Sequence, residues 1–424
     1  MEASAVTDCD RRVMRRGGAA SSLRGMPAFS LIRKLLPPAL ALVLPIASAL
    51  PAAASPPPAR TVLAADPVPG GARISLPHPT GPYGVGRQSL HLVDSSRTDP
   101  WVPEAGAREL MVGMYYPARR GTGTPARYAT VDEARLMLAD IGMGDVFPAE
   151  VLSTTATDVR ADARPAPGRY PLVVLSPGFG YSVFTLTGLA EDLASRGYVV
   201  AAIDHAYESV GTAFPGGRML TCVACTKVRS EEDLVAATSG RGRDMSFVVD
   251  RLTGADPAWR YADLIDRHRI GAAGHSIGGA GAAAAMAGDT RIRAGANMDG
   301  AFHSAVPETG LGNRPFLLFG TDDEIHRPGG DDPSWDRAWT RLDGWKRWLT
   351  VANATHFSFS DFPVLLDRLG LPGGGSATTL PGARGLDLTR AYLGAFVDRH
   401  LRHLPRPLLD RPTPGNPEVR FNNP

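Results

Sequence analysis

A serine flanked by glycines gives this chain its clearest chemical signal. Residues 274–279 read Gly-His-Ser-Ile-Gly-Gly, a G-x-S-x-G pattern centred on Ser276. Such a pattern forms a sharp strand-to-helix turn that holds the serine hydroxyl clear of its neighbours, and small residues are needed where the backbone folds this tightly. An apolar run at 269–273 and an alanine-rich run at 280–286 predict the strand and the helix on its two sides. The context therefore predicts a nucleophilic serine.

A serine hydroxyl needs a histidine base, because it is a poor nucleophile at neutral pH. Enzymes with this elbow present the serine, then the acid, then the histidine along the chain. That order leaves five histidines after the motif: His303, His326, His356, His400 and His403. Of these, His356 lies in a short loop just after a predicted late strand, at 351–357, and is the predicted base.

The acid that would orient the histidine has two candidate positions. Asp299 follows the predicted strand 293–298, whereas Asp322 and Asp323 follow the predicted strand 315–319. Both positions fit the order of the hydrolase triad, so spacing alone leaves the choice open. A carboxylate that is not the acid is expected to cap its loop.

The attacked carbonyl would also need two preorganised N–H donors for its oxyanion. The amide of Ile277 comes directly after the nucleophile and is one predicted donor. The second is predicted in the loop Pro177-Gly178-Phe179-Gly180, with the Phe179 amide as the donor, because this loop follows a strand that ends at Ser176.

The elements that must position these residues alternate along the chain. From about residue 170, apolar strands, turns and helices follow one another, which predicts a mostly parallel sheet with helices on both faces. Upstream, 90–94 and 108–116 alternate like antiparallel strands at the edge of that sheet. We therefore predict an α/β-hydrolase fold, followed by a proline-rich tail from residue 405 that is either an extended strap or disordered.

The N-terminal part of the sequence has the composition of an export signal. Arg33 and Lys34 precede an apolar run at 35–50, and small residues at 47–49 and 52–54 offer cleavage sites. Prolines interrupt the run, which argues against a membrane anchor. We predict a cleaved signal over 1–54, one catalytic domain over 55–424, and a secreted protein, with the general and twin-arginine export routes both open.

Charge and cysteine content narrow the class further. Residues 1–54 carry seven basic and three acidic side chains, so the whole-chain charge of +2 leaves −2 on the rest. Without a basic block there, no nucleic-acid partner is predicted. Cys222 and Cys225 lack a second ligand pair for zinc, so a local disulfide is predicted rather than a metal site.

Several segments resemble the platelet-activating factor acetylhydrolase family of secreted α/β-hydrolases and its bacterial lipase-like relatives. These segments are the elbow, 80–86, 115–117, 175–180, 204–209, 297–300 and 354–359. In that family the acid follows the strand after the elbow, so the resemblance implies Asp299. The chain departs from the animal enzymes at Pro177, where they have histidine before glycine, and at Ile277, where they have an aromatic residue; both changes alter the pocket but keep the backbone donors.

The predicted function is a secreted serine esterase that cleaves lipid-like or short-acyl carboxylic esters through an acyl-enzyme, without a cofactor. A triacylglycerol lipase or cutinase-like polyester hydrolase is the alternative, with its acid near Asp322. A non-catalytic binding protein on the same fold is a third hypothesis, which the complete residue set disfavours. The predicted partner is a small-molecule or lipid ester with transient lipid-surface contact, and no protein partner is implied.

Two groups outside the predicted triad also have predicted roles. Four tryptophans between 335 and 348 suggest either core packing or a lipid surface, and the i, i+4 spacing of Trp335 and Trp339 favours the core. Glu208, beside His205, is predicted to anchor a loop or to line the pocket.

Overall fold

One mixed β-sheet organises the part of the chain that the computed structural model describes, residues 74–371 and 380–424. The described strands, numbered along the chain, are β1 (Gly84–Thr98), β2 (Ala107–Ala118), β3 (Thr124–Pro125), β4 (Val159–Ala161), β5 (Tyr170–Ser176), β6 (Val199–His205), β7 (Thr212–Phe214), β8 (Arg218–Leu220), β9 (Ile265–His275), β10 (Ile292–Met298), β11 (Phe316–Thr321), β12 (Lys346–Val351) and β13 (Val419–Phe421). The sheet order is β13-β12-β11-β10-β9-β5-β6-β2-β1-β4-β3, and β7 and β8 form a separate hairpin.

The central strands run parallel, from β6 through β5, β9, β10 and β11 to β12. Their carboxyl ends therefore meet at one edge of the sheet, which is where α/β proteins place their sites. This arrangement confirms the predicted α/β-hydrolase fold.

Helices cover both faces of the sheet. The described helices are α1 (Val131–Asp140), α2 (Ala149–Ser153), α3 (Thr187–Ser195), α4 (Ala224–Lys227), α5 (Glu231–Thr253), α6 (Ile277–Gly288), α7 (Pro333–Arg341), α8 (Phe362–Arg368) and α9 (Gly382–Leu401). Successive residues of a strand point to opposite faces, so β5 divides between two cores. Leu172 and Val174 pack with residues of α5 and α6, whereas Val173 and Leu175 pack with residues of α3 and α9.

The sheet edges differ in detail from the sequence prediction. β1 and β2 are antiparallel as predicted, but the short strands β4 and β3 lie outside β1 and form that edge. At the opposite edge the proline-rich tail supplies β13, which pairs antiparallel with β12. The tail is thus an ordered strap that covers an edge that would otherwise expose unpaired backbone groups.

The tryptophan-rich segment contributes to the core. Trp335 and Trp348 are both fully buried, with ring centroids 5.6 Å apart. Trp339 and Trp345 are partly buried and pack against the two cores. Burial of the first pair favours the core interpretation over the lipid-surface one.

Two further features concern the predicted location of the protein. A disulfide joins Cys222 and Cys225 at the start of α4. Within residues 74–371 and 380–424, the helices are too short or too polar to cross a membrane. The predicted export signal, residues 1–54, lies outside the described residues.

Candidate active site

Ser276 occupies the sharp turn between β9 and α6. Its backbone has φ 55° and ψ −130°, a combination that is costly for any residue with a side chain. The Ser276 amide donates to the Met298 carbonyl at 2.8 Å, which ties the turn to the end of β10. The side chain is buried but not sealed, since Ser276 is 8% exposed. Strained backbone that is held by its surroundings is typical of a nucleophile elbow.

Three glycines make room for this turn. A Cβ added to Gly274 would lie 2.2 Å from the carbonyl carbon of Gly278, and one added to Gly278 would lie 2.4 Å from the Ser176 oxygen. A Cβ on Gly300 would lie 2.0 Å from the carbonyl oxygen of Ser276. Non-bonded atoms cannot approach so closely, so the elbow accepts only glycine at these positions.

His356 lies just beyond β12, at the start of a short 3₁₀ helix, His356–Phe359. Its Nδ1–H donates to Oδ2 of Asp299 at 2.7 Å. The imidazole also packs against His275, the residue before the nucleophile, with ring centroids 4.6 Å apart. Nε2 of His275 donates to the main-chain carbonyl of His356 at 2.7 Å. The histidine and its carboxylate therefore lie beside the elbow.

Asp299 is held so that one of its oxygens faces the histidine. Its other oxygen, Oδ1, accepts the Thr321 amide at 2.6 Å and lies 3.1 Å from the Thr321 hydroxyl oxygen. His326 lies on this second side, with Nδ1 3.4 Å from Oδ1. Burial alone would raise the pKa of Asp299, but His326 and His356 outweigh burial and hold that pKa well below its usual range. A carboxylate in this setting is ionised and orients the imidazole.

The two other acid candidates have different partners. Asp322 accepts from Arg327 at 2.8 Å and from the Thr350 hydroxyl at 3.1 Å. Asp323 accepts from the Thr321 hydroxyl at 2.7 Å and caps the turn through the His326 amide at 2.9 Å. Both carboxylates anchor the loop after β11, whereas Asp299 faces the imidazole.

The predicted oxyanion loop lies against the elbow. A Cβ on Gly178 would be 3.6 Å from Cβ of Ser276, so the loop backbone passes directly over the serine. The neighbouring amides are already engaged, since Gly180 donates to the Glu208 carbonyl at 2.9 Å and Tyr181 to the Gly178 carbonyl at 3.4 Å. Ile277 is the first residue of α6, where amides have no acceptor within the helix. The Gly178 backbone therefore lies beside Ser276, and Ile277 follows Ser276 directly in the chain.

An aromatic cluster borders the predicted base, His356. Tyr181 follows the oxyanion loop, and its ring centroid lies 5.5 Å from that of Phe357 and 6.0 Å from that of Phe362. Phe357 comes directly after His356 and lies 5.9 Å from Phe362. The three rings, called the aromatic cluster below, meet mostly at steep angles, which is a favourable geometry for aromatic contacts.

A buried charged cluster behind the oxyanion loop was only partly anticipated. The sequence predicts Glu208 to anchor a loop or to line the pocket, whereas Arg108, Arg241 and Asp244 have no predicted role. Arg108 bridges Glu208 and Asp244 at 2.8 Å each. The sequence of α5 contains a signal for this cluster. Met245 and Val248 lie on the apolar helix face that packs into the core, and the charged residues Arg241 and Asp244 interrupt that face.

His205 belongs to the same cluster. Its Nδ1–H donates to Asp244 at 2.8 Å, and its Nε2 accepts from the Ser176 hydroxyl at 2.9 Å. Burial, followed by the nearby Arg241, lowers the pKa of His205. His205, Glu208 and Asp244 could together ligate a metal, but guanidinium groups already neutralise both carboxylates. The arrangement is therefore an internal ion-pair network.

Residues 71–215 match the family model described as platelet-activating factor acetylhydrolase, isoform II. A solved ferulic acid esterase from Streptomyces cinnamoneus is 45% identical, with a TM-score of 0.73 over 82% of this chain and 99% of that one.

Two curated proteins extend the comparison. The "Probable 1-alkyl-2-acetylglycerophosphocholine esterase" of Arthroderma benhamiae is 29% identical over 376 residues, which is 82% of this chain and 93% of that protein. The bis(hydroxyethyl) terephthalate hydrolase of Streptomyces coelicolor is 27% identical over 198 residues, or 45% of this chain and 52% of that protein.

The fold and these similarities define a serine hydrolase of carboxylic esters in the α/β-hydrolase class. Over residues 71–215 the chain is similar to the family described as platelet-activating factor acetylhydrolase, isoform II. The predicted fold class and esterase activity are confirmed, and so is the predicted resemblance to that family.

Proposed function

We propose that Ser276, His356 and Asp299 form the catalytic triad of this esterase. His356 takes the proton of the Ser276 hydroxyl as its oxygen attacks the ester carbonyl, and Asp299 stabilises the resulting imidazolium. The Phe179 and Ile277 amides bind the oxyanion of the tetrahedral intermediate. His356 then returns the proton to the leaving alcohol, which leaves an acyl-enzyme on Ser276.

A second half-reaction restores the enzyme. Water enters, His356 takes one of its protons, and the hydroxide attacks the acyl carbonyl. The carboxylic acid leaves as Ser276 recovers its proton from His356. The observation that carries this proposal is the 2.7 Å bond from His356 to Asp299, on an imidazole that packs against the residue preceding the strained serine.

A fluorophosphonate probe tests the assignment, since it reacts with activated serines. We expect labelling of the wild type and none of Ser276→Ala, with equal thermal stability of the two proteins. A matched control is Ser239→Ala, a partly buried serine of α5 that binds Ser304. Labelling of Ser276→Ala at the wild-type rate would refute the assignment.

We further infer that the preferred substrate carries an aromatic acyl group. The aromatic cluster adjoins both the proposed base and the oxyanion loop, and we propose that its rings contact an acyl group held on Ser276. Two similar proteins are named for aromatic acids, ferulic and terephthalic. A short-acyl phospholipid, the substrate class in the name of the Arthroderma protein, is the second candidate.

A substrate panel separates these candidates. Methyl ferulate, bis(hydroxyethyl) terephthalate, p-nitrophenyl acetate and a 2-acetyl phospholipid should be compared by kcat/KM. We expect the first two to exceed the phospholipid. Phe357→Leu should lower kcat/KM for methyl ferulate by about 2- to 12-fold, because a ring pair contributes about 0.5–1.5 kcal/mol, and should leave kcat/KM for p-nitrophenyl acetate unchanged.

Phe421→Leu, in β13 at the sheet edge, is the matched control for this panel. It removes a partly buried ring of the same size outside the aromatic cluster. A phospholipid preference that Phe357→Leu leaves unchanged would favour the second candidate instead.

We also propose export, with the signal over residues 1–54 removed. The Cys222–Cys225 disulfide supports this, because disulfides persist in oxidising compartments. N-terminal sequencing of protein from culture medium tests it, with a mature terminus close to residue 55 as the expected result and retention of the full chain inside the cell as the contrary one. Transient lipid-surface contact belongs only to the phospholipid alternative.

A further inference from the structure

One buried ion pair fixes both ends of the oxyanion loop. Arg241 in α5 is 1% exposed, and its Nη1 donates to the Pro177 carbonyl at the start of the loop. Its Nε donates to Oε2 of Glu208 at 2.8 Å. The main-chain carbonyl of Glu208 in turn accepts the Gly180 amide at 2.9 Å, at the end of the loop. A closed ring of contacts, called the loop clamp below, therefore joins Pro177, Arg241, Glu208 and Gly180.

The loop clamp has a direct consequence for the amide of Phe179. The carbonyl and N–H of a trans peptide point in opposite directions, so fixing one fixes the other. The carbonyl of the Gly178–Phe179 peptide accepts from the Tyr181 amide at 3.4 Å. The loop clamp holds the peptide before it through the Pro177 carbonyl and the peptide after it through the Gly180 amide. The direction of the Phe179 N–H thus depends on contacts that Arg241 and Glu208 make.

The rest of the charged cluster holds the clamp in place. Arg108 binds the second oxygen of Glu208 at 2.8 Å, so that carboxylate has a guanidinium on each side. Nη1 of Arg241 also lies 3.3 Å from the Ser176 hydroxyl, which His205 engages at 2.9 Å. Removing one partner would leave another charge buried without compensation, so the members of the cluster depend on one another.

We propose that Arg241 and Glu208 are positioning residues, which hold the Phe179 amide in its oxyanion-binding orientation before substrate arrives. This rests on the proposed function, in which that amide is an oxyanion donor. Both side chains are buried behind the loop and act on the reaction only through it. Preorganised donors stabilise the transition state more than the bound ester, so loosening the loop should lower kcat and leave KM nearly unchanged.

Arg241→Lys isolates this role. Lysine keeps the positive charge for Glu208 but lacks the planar fork that binds Glu208 and the Pro177 carbonyl together. The matched control is Arg390→Lys in α9, which is equally buried at 1% exposed and binds Glu191 at 3.3 Å and the Gly188 carbonyl at 2.9 Å, outside the clamp.

Both variants should be compared with the wild type by kcat and KM on p-nitrophenyl acetate, by Tm, and by the rate of fluorophosphonate labelling. In Arg241→Lys we expect kcat and the labelling rate to fall together by about 10- to 100-fold, with KM within about twofold. Arg390→Lys should lose comparable Tm while both rates stay within about twofold. Glu208→Gln provides a second variant if Arg241→Lys fails to fold, and the same kinetic pattern is expected.

Wild-type kcat in a folded Arg241→Lys or Glu208→Gln protein would overturn the inference. Equal kcat losses in Arg241→Lys and Arg390→Lys would also overturn it, because they would reflect stability alone. Labelling of Ser276→Ala in the same series would instead refute the proposed function, so the two failures are distinguishable.

Discussion

The amide of Ser276 donates to the carbonyl of Met298 at 2.8 Å, so the elbow is bonded to the residue immediately before Asp299. Both Ser276 and Asp299 have positive φ, at 55° and 62°. The chain therefore turns sharply after β9 and after β10, at the same edge of the sheet. One main-chain hydrogen bond fixes the two turns relative to each other. The proposed nucleophile and acid are thus coupled through backbone as well as through His356.

The choice of acid gives the first prediction. Asp299→Asn should lower kcat by about 10³- to 10⁴-fold, because an amide cannot stabilise the imidazolium and favours the wrong histidine tautomer. Asp322→Asn should keep kcat within about twofold, since the side-chain contacts of Asp322 are to two arginines and the Thr350 hydroxyl. Burst kinetics of acyl-enzyme formation measure both. Full activity in Asp299→Asn would exclude it as the acid.

Two glycines of α6 give the second prediction. Gly278→Ala would place a methyl group 2.4 Å from the Ser176 oxygen and 2.6 Å from the Pro177 oxygen, so the oxyanion loop must move. We expect kcat to fall more than about 100-fold or stability to drop by more than about 2 kcal/mol. Gly288→Ala, in the same helix, meets nothing within 4 Å and should stabilise by about 0.5 kcal/mol. Similar kinetics and Tm in the two variants would contradict this account.

A buried carboxyl group away from the triad gives the third prediction. Burial raises the pKa of Asp204 to about 8, despite a 2.7 Å hydrogen bond from the Val183 amide. The folded pKa lies above the ordinary value of 3.8, so the contribution of Asp204 to stability is full below pH 3.8 and is lost as pH rises towards 8. Asp204→Asn keeps an acceptor for Val183 and should be more stable than the wild type at pH 7.5, by up to about 5 kcal/mol.

At pH 4 the stability of Asp204→Asn and the wild type should be nearly equal. Thermal unfolding at the two pH values measures the difference. Asp331→Asn, which removes an exposed carboxylate, is the control and should change Tm little at either pH. A Tm gain of the same size at pH 4 would point to a cause other than ionisation of Asp204.

The histidine beside the nucleophile gives the fourth prediction, with the opposite sign. Burial and the adjacent His356 lower the pKa of His275 from 6.5 to about 3. Stability from the neutral ring is therefore present above pH 6.5 and is lost as pH falls towards 3. His275→Gln retains a donor for the His356 carbonyl. Between pH 7 and 4, its free energy of unfolding should fall by about 3 kcal/mol less than that of the wild type.

Denaturant unfolding at pH 7, 5.5 and 4 measures the His275→Gln effect. His78→Gln is the control, because the His78 side chain is 90% exposed. If the stability of His275→Gln falls with decreasing pH as steeply as that of the wild type, other groups are responsible for the loss of stability.

Much of the site could be predicted because its signals are local. The strand, the turn and the helix around Ser276 occupy about 24 consecutive residues, from Ile265 to Gly288, so glycine spacing and apolar runs predict them directly. His356 could be singled out by chain order and by its place after a late strand. The family resemblance then supplied the preference for Asp299, which spacing alone did not.

The remaining features depend on contacts between distant segments. β10 and β11 are neighbouring parallel strands, so Asp299 and the pair Asp322 and Asp323 emerge at the same sheet edge, and only side-chain direction distinguishes them. The cluster behind the oxyanion loop joins Arg108 to Asp244 across 136 residues.

The amino-acid sequence by itself predicted the fold class, the elbow serine and His356 as its base, because periodicity, glycine spacing and chain order can be read directly from the sequence. The tertiary structure decided which carboxylate meets the imidazole and which buried charges hold the oxyanion loop. Those choices depend on strand register and on the desolvation of paired charges, and both arise only when distant segments pack together.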